Sequence, residues 1–172
     1  MGKFCDQPDK IWPMESATPS QAQNSLSDRS LVGVIIVDHG SRRAESNDML
    51  LEVVRSYQEQ THFEIVEPAH MELAHPSIAD AFDRCVARGA RNIVVMPYFL
   101  LPGRHWHKDI PELSRAAAAA HPGVTYLVTA PLGLDPRMNE LIESRIDYCL
   151  AHAMGNVPEC NVCEGTGRCT LK

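Results

Sequence analysis

LVGVIIVDHGSRR, residues 31–43, is the stretch whose reading decides the fold. Its first seven residues form a near-continuous apolar run rich in β-branched side chains, the pattern of a strand buried on both faces of a parallel sheet. Turn chemistry breaks the run at Asp38-His39-Gly40-Ser41, and Met49, Leu50, Val53, Val54 and Tyr57 then recur at helical spacing across residues 44–60. Working outward, the sequence predicts a second strand around 63–67, a helix from about Pro76 to Arg88 and the strand NIVVMP at 92–97. A helix near 110–120, a strand at 124–129 and a helix near 136–153 follow. Such alternation predicts an α/β fold with a central parallel sheet and right-handed crossovers, in which ligands bind in the crevice beyond the carboxyl ends of the strands.

The 172 residues suit one catalytic domain, over 31–153, large enough to bury a core without disulfides. Residues 1–30 hold Pro8, Pro13 and Pro19 among polar side chains with no apolar period, and read as a disordered tail. That tail carries Asp6, Asp9, Glu15 and Asp28, so it reads neither as a secretory signal nor as an Arg-rich transit peptide, but as the start of a processed or cytosolic chain. No apolar run reaches the roughly 18 to 20 residues a membrane span needs. A net charge of −6 argues against nucleic acid as a partner. Neither G-x-G-x-x-G nor G-x-x-x-x-G-K occurs, so nothing marks a nucleotide site.

Three loops carry the candidate chemistry. Asp38-His39-Gly40-Ser41-Arg42-Arg43 ends the first strand, with Gly40 permitting a tight turn and the following amides facing an anion at the helix start. Pro102-Gly103-Arg104-His105-Trp106-His107-Lys108-Asp109 follows the third strand, where a parallel sheet sets it beside the first loop if the two strands are neighbours. His39 and His105 would then face each other, and two imidazoles with open coordination positions suit Fe(II), Co(II), Ni(II) or Zn(II). His107 competes with His105, because a two-residue offset on an extended segment keeps both on one side. The third loop, Glu67-Pro68-Ala69-His70-Met71-Glu72-Leu73-Ala74-His75-Pro76, offers several titratable groups; the residues alone do not choose Glu72 over Glu67, His70 or His75.

VDHGSR at 37–42 with Asn47 following, MELAHPSI at 71–78 and MPYFLLPGRHWHKDIP at 96–111 occur in that order, and over roughly residues 31–150 the chain resembles the small class II chelatases, most closely their plant sirohydrochlorin ferrochelatase branch. The resemblance implies a chelatase-like three-layer α/β sandwich, one unit per chain and hence a homodimer. It implies Fe2+ insertion into sirohydrochlorin to give sirohaem, with His39 and His105 at the metal and Glu72 as the active-site glutamate. Thirty-three residues separate His39 from Glu72 and Glu72 from His105, so each group comes from a successive strand-to-helix loop. Either Glu72 or a histidine could take the pyrrole N–H protons, and the need for neutral imidazoles makes activity fall at acid pH. Sirohydrochlorin is a polycarboxylate, and Ser41, Arg42, Arg43, Arg104 and Lys108 are the candidates to bind it. A plant relative implies the chloroplast stroma.

Residues 154–172 read as a flexible Cys-rich tail. Cys160, Cys163 and Cys169 lie within ten residues, and the plant branch is associated there with a [2Fe–2S] cluster, for which Cys149, Cys85 or a non-cysteine group would be the fourth ligand. Zn2+ is the competing reading of CNVCEGTG. Cobalt or nickel insertion, a non-catalytic metal or tetrapyrrole carrier, and an electron-transfer module are the alternative functions.

Overall fold

The computed structural model describes residues 28–171, so the expected disordered tail lies outside the described residues as far as Ser27. Arg29–Leu31 form a 3-10 turn whose N-cap, Asp28, accepts the Ser30 N–H. Strands β1 (Val32–Asp38), β2 (Ile65–His70), β3 (Asn92–Pro97) and β4 (Thr125–Val128) alternate with helices α1 (Ala44–Gln60), α2 (Ile78–Ala87), α3 (Ile110–Ala118) and α4 (Pro136–Ala153). All strands are parallel in the order β2-β1-β3-β4. The chain steps outward from β1 in one direction to β2 and in the other to β3 and β4, so the carboxyl ends of β1 and β3 flank the switch point where a crevice opens.

Side-chain alternation divides the core between the two faces of the sheet. Ile35, Val37, Ile93 and Val95 point to the face covered by α2 and α3, where they meet Phe82, Cys85 and Ile110. Val32, Val34, Ile36 and Val66 point to the other face and meet Leu50 and Val54 of α1. Burying a large aliphatic or aromatic side chain of this kind contributes about 1.5 to 3 kcal/mol. Gly33 admits α2 close to β1: a Cβ there would lie 2.9 Å from the Cys85 Sγ and 3.1 Å from the Ala90 Cβ. None of the 18 residues of α4 is buried.

Helix α1 has the expected bounds, whereas β2 runs later than expected. Glu67, Pro68, Ala69 and His70 belong to the strand and not to the loop after it. Proline is compatible with this position because β2 is an edge strand, and an N–H missing from its free side costs no ladder bond. Residues 105–109 form a π-helical turn leading directly into α3, where the sequence suggested an extended segment.

Candidate metal and tetrapyrrole site

Parallel pairing brings the three loops together. Val37 pairs with Pro97 and Asp38 with His70 at the strand ends, and the β1–β2 bonding continues beyond the sheet: Met71 N–H donates to the Asp38 carbonyl at 2.8 Å and Glu72 N–H to the His39 carbonyl at 3.1 Å. Glu72 therefore sits beside His39 by backbone register. Gly40 makes the approach possible. Its φ of +82° is left-handed, and a Cβ on it would lie 2.0 Å from the Glu72 carbonyl oxygen. Leu73, with φ 66°, takes the same left-handed conformation next to Glu72.

Beneath this turn lies a part-buried pair. The Asp38 carboxylate accepts the Gly40 N–H at 2.9 Å and pairs with His70 Nδ1 at 2.6 Å, the His70 side chain being 1 % exposed. His70 thus braces the turn from below and does not face the crevice. Glu67 is paired with Arg88 at 2.6 Å, and the exposed His75 with Asp80 at 3.0 Å. Of the four alternatives in this loop, Glu72 meets His39.

His39 Nε2 lies 2.8 Å from Glu72 Oε1, and its Nδ1 lies 3.2 Å from the Gly40 carbonyl. Both neighbours of the ring are acceptors, so a hydrogen on Nε2, or on the carboxyl, satisfies the 2.8 Å contact. A divalent cation taken up at Nε2 would displace that proton and move the carboxylate away. The His105 ring is 5.2 Å from that of His39, edge to face, with Phe99 stacked behind it at 6.3 Å. His105 Nδ1 lies 2.8 Å from Asp109 Oδ2, so an Nδ1–H donated to the carboxylate leaves the Nε2 lone pair for a metal. His39, His105 and Glu72 are 40 %, 42 % and 54 % exposed. They stand at an open mouth from which an ion could be passed on. Among the described residues, no three His, Cys, Asp or Glu side chains converge as a ready-made metal-ligand set.

Asp109 was not singled out from the sequence. Its relation to His105 is an i,i+4 spacing that becomes meaningful only once 105–109 is known to be helical. The same turn separates His107, which is exposed and lies against Trp106 with ring centroids 4.5 Å apart, from His105. Trp106 is anchored by its indole N–H, which donates to the Thr129 carbonyl at 2.8 Å. Ser41 is pinned by Asn47, whose side chain accepts the Ser41 N–H and donates to the Ser41 carbonyl, both at 2.9 Å. Arg42, Arg43, Arg104 and Lys108 are exposed at the rim, with Arg43 near Glu45 and Arg104 near Asp109.

At the other end of α4, the tail folds back. The Cys169 Sγ lies 3.1 Å from Cys163 Sγ and 3.7 Å from Cys149 Sγ. N–H groups of Val162 and Cys163 hold the Cys160 thiol below its ordinary pKa, while hydrogen bonding to Cys163 and then Cys149 pushes Cys169 up to about 12. Cys85 is remote from this group and buried under β1.

The CbiX family profile matches residues 33–149. The chain is 56% identical over 139 residues to the Arabidopsis thaliana protein named sirohydrochlorin ferrochelatase, chloroplastic, covering 81% of this chain and 62% of that one. A crystal structure of a cobalamin biosynthesis CbiX protein from Marinobacter aquaeolei superposes with a TM-score of 0.61 at 30% identity, over 70% of this chain and 98% of that one. The sirohydrochlorin chelatase SirB of Bacillus subtilis, solved in complex with cobalt, superposes with a TM-score of 0.65 at 27% identity, over 68% of this chain and 50% of that one. The chain thus spans less than two thirds of the Arabidopsis relative and half of the Bacillus one.

Proposed function

The chain belongs to the CbiX family of class II chelatases, and on that premise we propose that it inserts Fe2+ into sirohydrochlorin, giving sirohaem and releasing two protons. The observation that carries this reading is the pair of imidazoles 5.2 Å apart with Glu72 against one of them, at the carboxyl ends of β1 and β3. In this reading His39 and His105 hold the incoming ion through Nε2, weakly enough for transfer because the pair is incomplete and half-exposed. Glu72, freed from His39 as the ion takes Nε2 and the proton there passes to solvent, accepts one pyrrole proton, and the second passes to solvent water. Ser41, Arg42, Arg43, Arg104 and Lys108 meet the substrate carboxylates at the rim.

Iron is favoured by the Arabidopsis relative, which is a ferrochelatase by name, and the same name favours the chloroplast stroma. Cobalt insertion is the second reading, favoured by the cobalt held by the Bacillus SirB. A homodimer is favoured because one unit here covers half of that longer chain. The deciding experiment is anaerobic Fe2+ insertion into sirohydrochlorin, followed by absorbance, for wild type beside His39→Ala and His105→Ala. Both folded variants are expected to lose turnover. Stoichiometric binding of iron and sirohydrochlorin without acceleration over the uncatalysed rate would replace the enzyme with a carrier, and faster Co2+ than Fe2+ insertion would favour the second reading.

For the tail we propose, on the donor chemistry of its thiols alone, a [2Fe–2S] cluster that Cys149, Cys160, Cys163 and Cys169 would hold once drawn together, and it would supply one-electron redox chemistry with a regulatory role. Zn2+ fits the same four thiolates. Dithionite-reduced protein isolated anaerobically is expected to give an electron paramagnetic resonance signal that the Cys160/Cys163/Cys169→Ser variant lacks while keeping its chelatase rate. Stoichiometric zinc without sulfide would decide for the alternative.

A further inference from the structure

Two successive peptides next to His39 are fixed by hydrogen bonds. The His39–Gly40 peptide is gripped from both sides: its carbonyl accepts the Glu72 N–H at 3.1 Å, and its N–H donates to Asp38 Oδ1 at 2.9 Å. The Gly40–Ser41 peptide is gripped in the same way, because the Ser41 N–H donates to Asn47 Oδ1 at 2.9 Å while the Gly40 carbonyl stands 3.2 Å from His39 Nδ1. When a metal takes His39 Nε2, an Nδ1–H donated to that carbonyl fixes both the tautomer and the plane of the ring. The direction of Nε2 therefore depends on where these two peptides lie.

One of these contacts is supported from the interior. The Asp38 Oδ1 that accepts the Gly40 N–H also accepts from His70 Nδ1 at 2.6 Å. The Asp38 side chain is 25 % exposed and could turn toward water, whereas the His70 side chain is buried. The His70 backbone is itself immobilised. It pairs with Asp38 at the ends of β1 and β2, its N–H donates to the Pro76 carbonyl at 2.7 Å, and it bridges to Ser77. Gly40 rests directly on this residue, since a Cβ at Gly40 would lie 3.1 Å from the His70 Cβ. An imidazole costs more to bury than an aliphatic side chain of similar size, so packing alone does not account for histidine here. What the imidazole adds is a donor aimed at the oxygen that holds the turn.

We propose that His70 is a positioning residue for metal capture: its Nδ1–H holds Asp38 Oδ1 under the Gly40 N–H, and this chain of two hydrogen bonds aims His39 Nε2 at the ion. Without the His70 donor the Asp38 carboxylate turns to water and the Gly40 N–H loses its acceptor. The left-handed turn at φ +82° then has nothing beneath it to hold the His39–Gly40 peptide against the Glu72 N–H. His70 acts through Asp38 and Gly40 and makes no contact of its own with the ion. This inference rests on the reading of His39 as a metal ligand and adds what orients it.

The test measures Co2+ uptake by the full chain in equilibrium dialysis without sirohydrochlorin, and follows the site that His39→Ala removes. His70→Leu takes the donor away. His70→Asn restores it, because the asparagine Nδ2 stands where histidine has Nδ1, whereas the His70→Gln amide reaches the place of Nε2 instead. The expected result is a dissociation constant at that site raised about 10- to 100-fold by Leu and by Gln and returned toward the wild-type value by Asn, all three variants being folded by circular dichroism. Wild-type Co2+ affinity in His70→Leu, or equal affinities in the Asn and Gln variants, overturns the positioning role and leaves His39 as a ligand. Equal Co2+ uptake by wild type and His39→Ala overturns the metal reading of His39 and this inference with it. Should the leucine variant fail to fold because Asp38 has lost its partner, Asp38→Asn/His70→Leu takes its place. Weakened binding by that folded pair supports the inference, and wild-type binding overturns it.

Discussion

His39 and His105 are the same residue type, yet different partners fix their rings. His39 leans on a backbone carbonyl and a flexible glutamate, whereas His105 is held by a carboxylate one helical turn away. A carboxylate behind a ligating imidazole fixes the tautomer and raises basicity at the free nitrogen. Asp109→Asn is accordingly expected to fold normally but to lower chelation at limiting Fe2+ about 10- to 100-fold, with rates measured across an Fe2+ series showing the loss mainly as a higher KM for metal. The placement of His39 and Gly40 in a strand-to-helix turn was legible in the residues, whereas the role of His39 and His105 at a metal came from the family resemblance. Glu72 emerged from the family motif and not from the residues, since four titratable groups share its loop and only the strand register separates them. Asp38 and His70 were both in view, but nothing in a linear pattern says that they meet beneath the turn.

At the scale of elements, α2 shows how firmly a helix start can be written. Ser77 Oγ accepts the Asp80 N–H at 3.2 Å and Asp80 accepts the Ser77 N–H at 2.7 Å, a closed capping box that also holds His75. Ser77→Ala is expected to cost about 1 kcal/mol in urea unfolding at neutral pH. The His75 hydrogen bond, and after it those from Ser77, hold the Asp80 carboxyl far below its ordinary value of 3.8. Because the folded value is depressed, its stabilisation is fully present above that ordinary value and is lost as pH falls through the folded one, so the difference between wild type and variant should narrow below pH 3.8. Element identity was easier to read than element position. Helix α1 was bounded correctly by its apolar spacing, but the second strand was expected around 63–67 and runs on through Pro68 to His70 on the edge of the sheet. The turn at 105–109 was hidden because Pro111 advertises a helix start at its own position and says nothing of the residues before it.

For the whole molecule, thiol accessibility separates global from local opening. Burial pushes the Cys85 thiol up to about 12, while the Cys160 thiol is held below its ordinary value and lies half-buried in the tail. Alkylation of the native, metal-free protein at neutral pH is expected to modify Cys160 quickly and Cys85 only at the rate of global unfolding, as peptide mass mapping over time would show. The layered α/β architecture was readable from the period of the chain, because buried parallel strands and one-sided helices leave distinct signatures. That α4 stands apart was not readable, since an amphipathic pattern states that a helix needs covering and not which surface covers it. Gly40 carries a lesson for anyone rebuilding this scaffold. Residues 38–40 and 70–73 meet main chain to main chain, so they behave as one cassette: a designer who transplants the histidine turn without the glutamate loop, or swaps either for a homologous loop with a side chain at position 40, would transfer the ligands and lose the spacing between them.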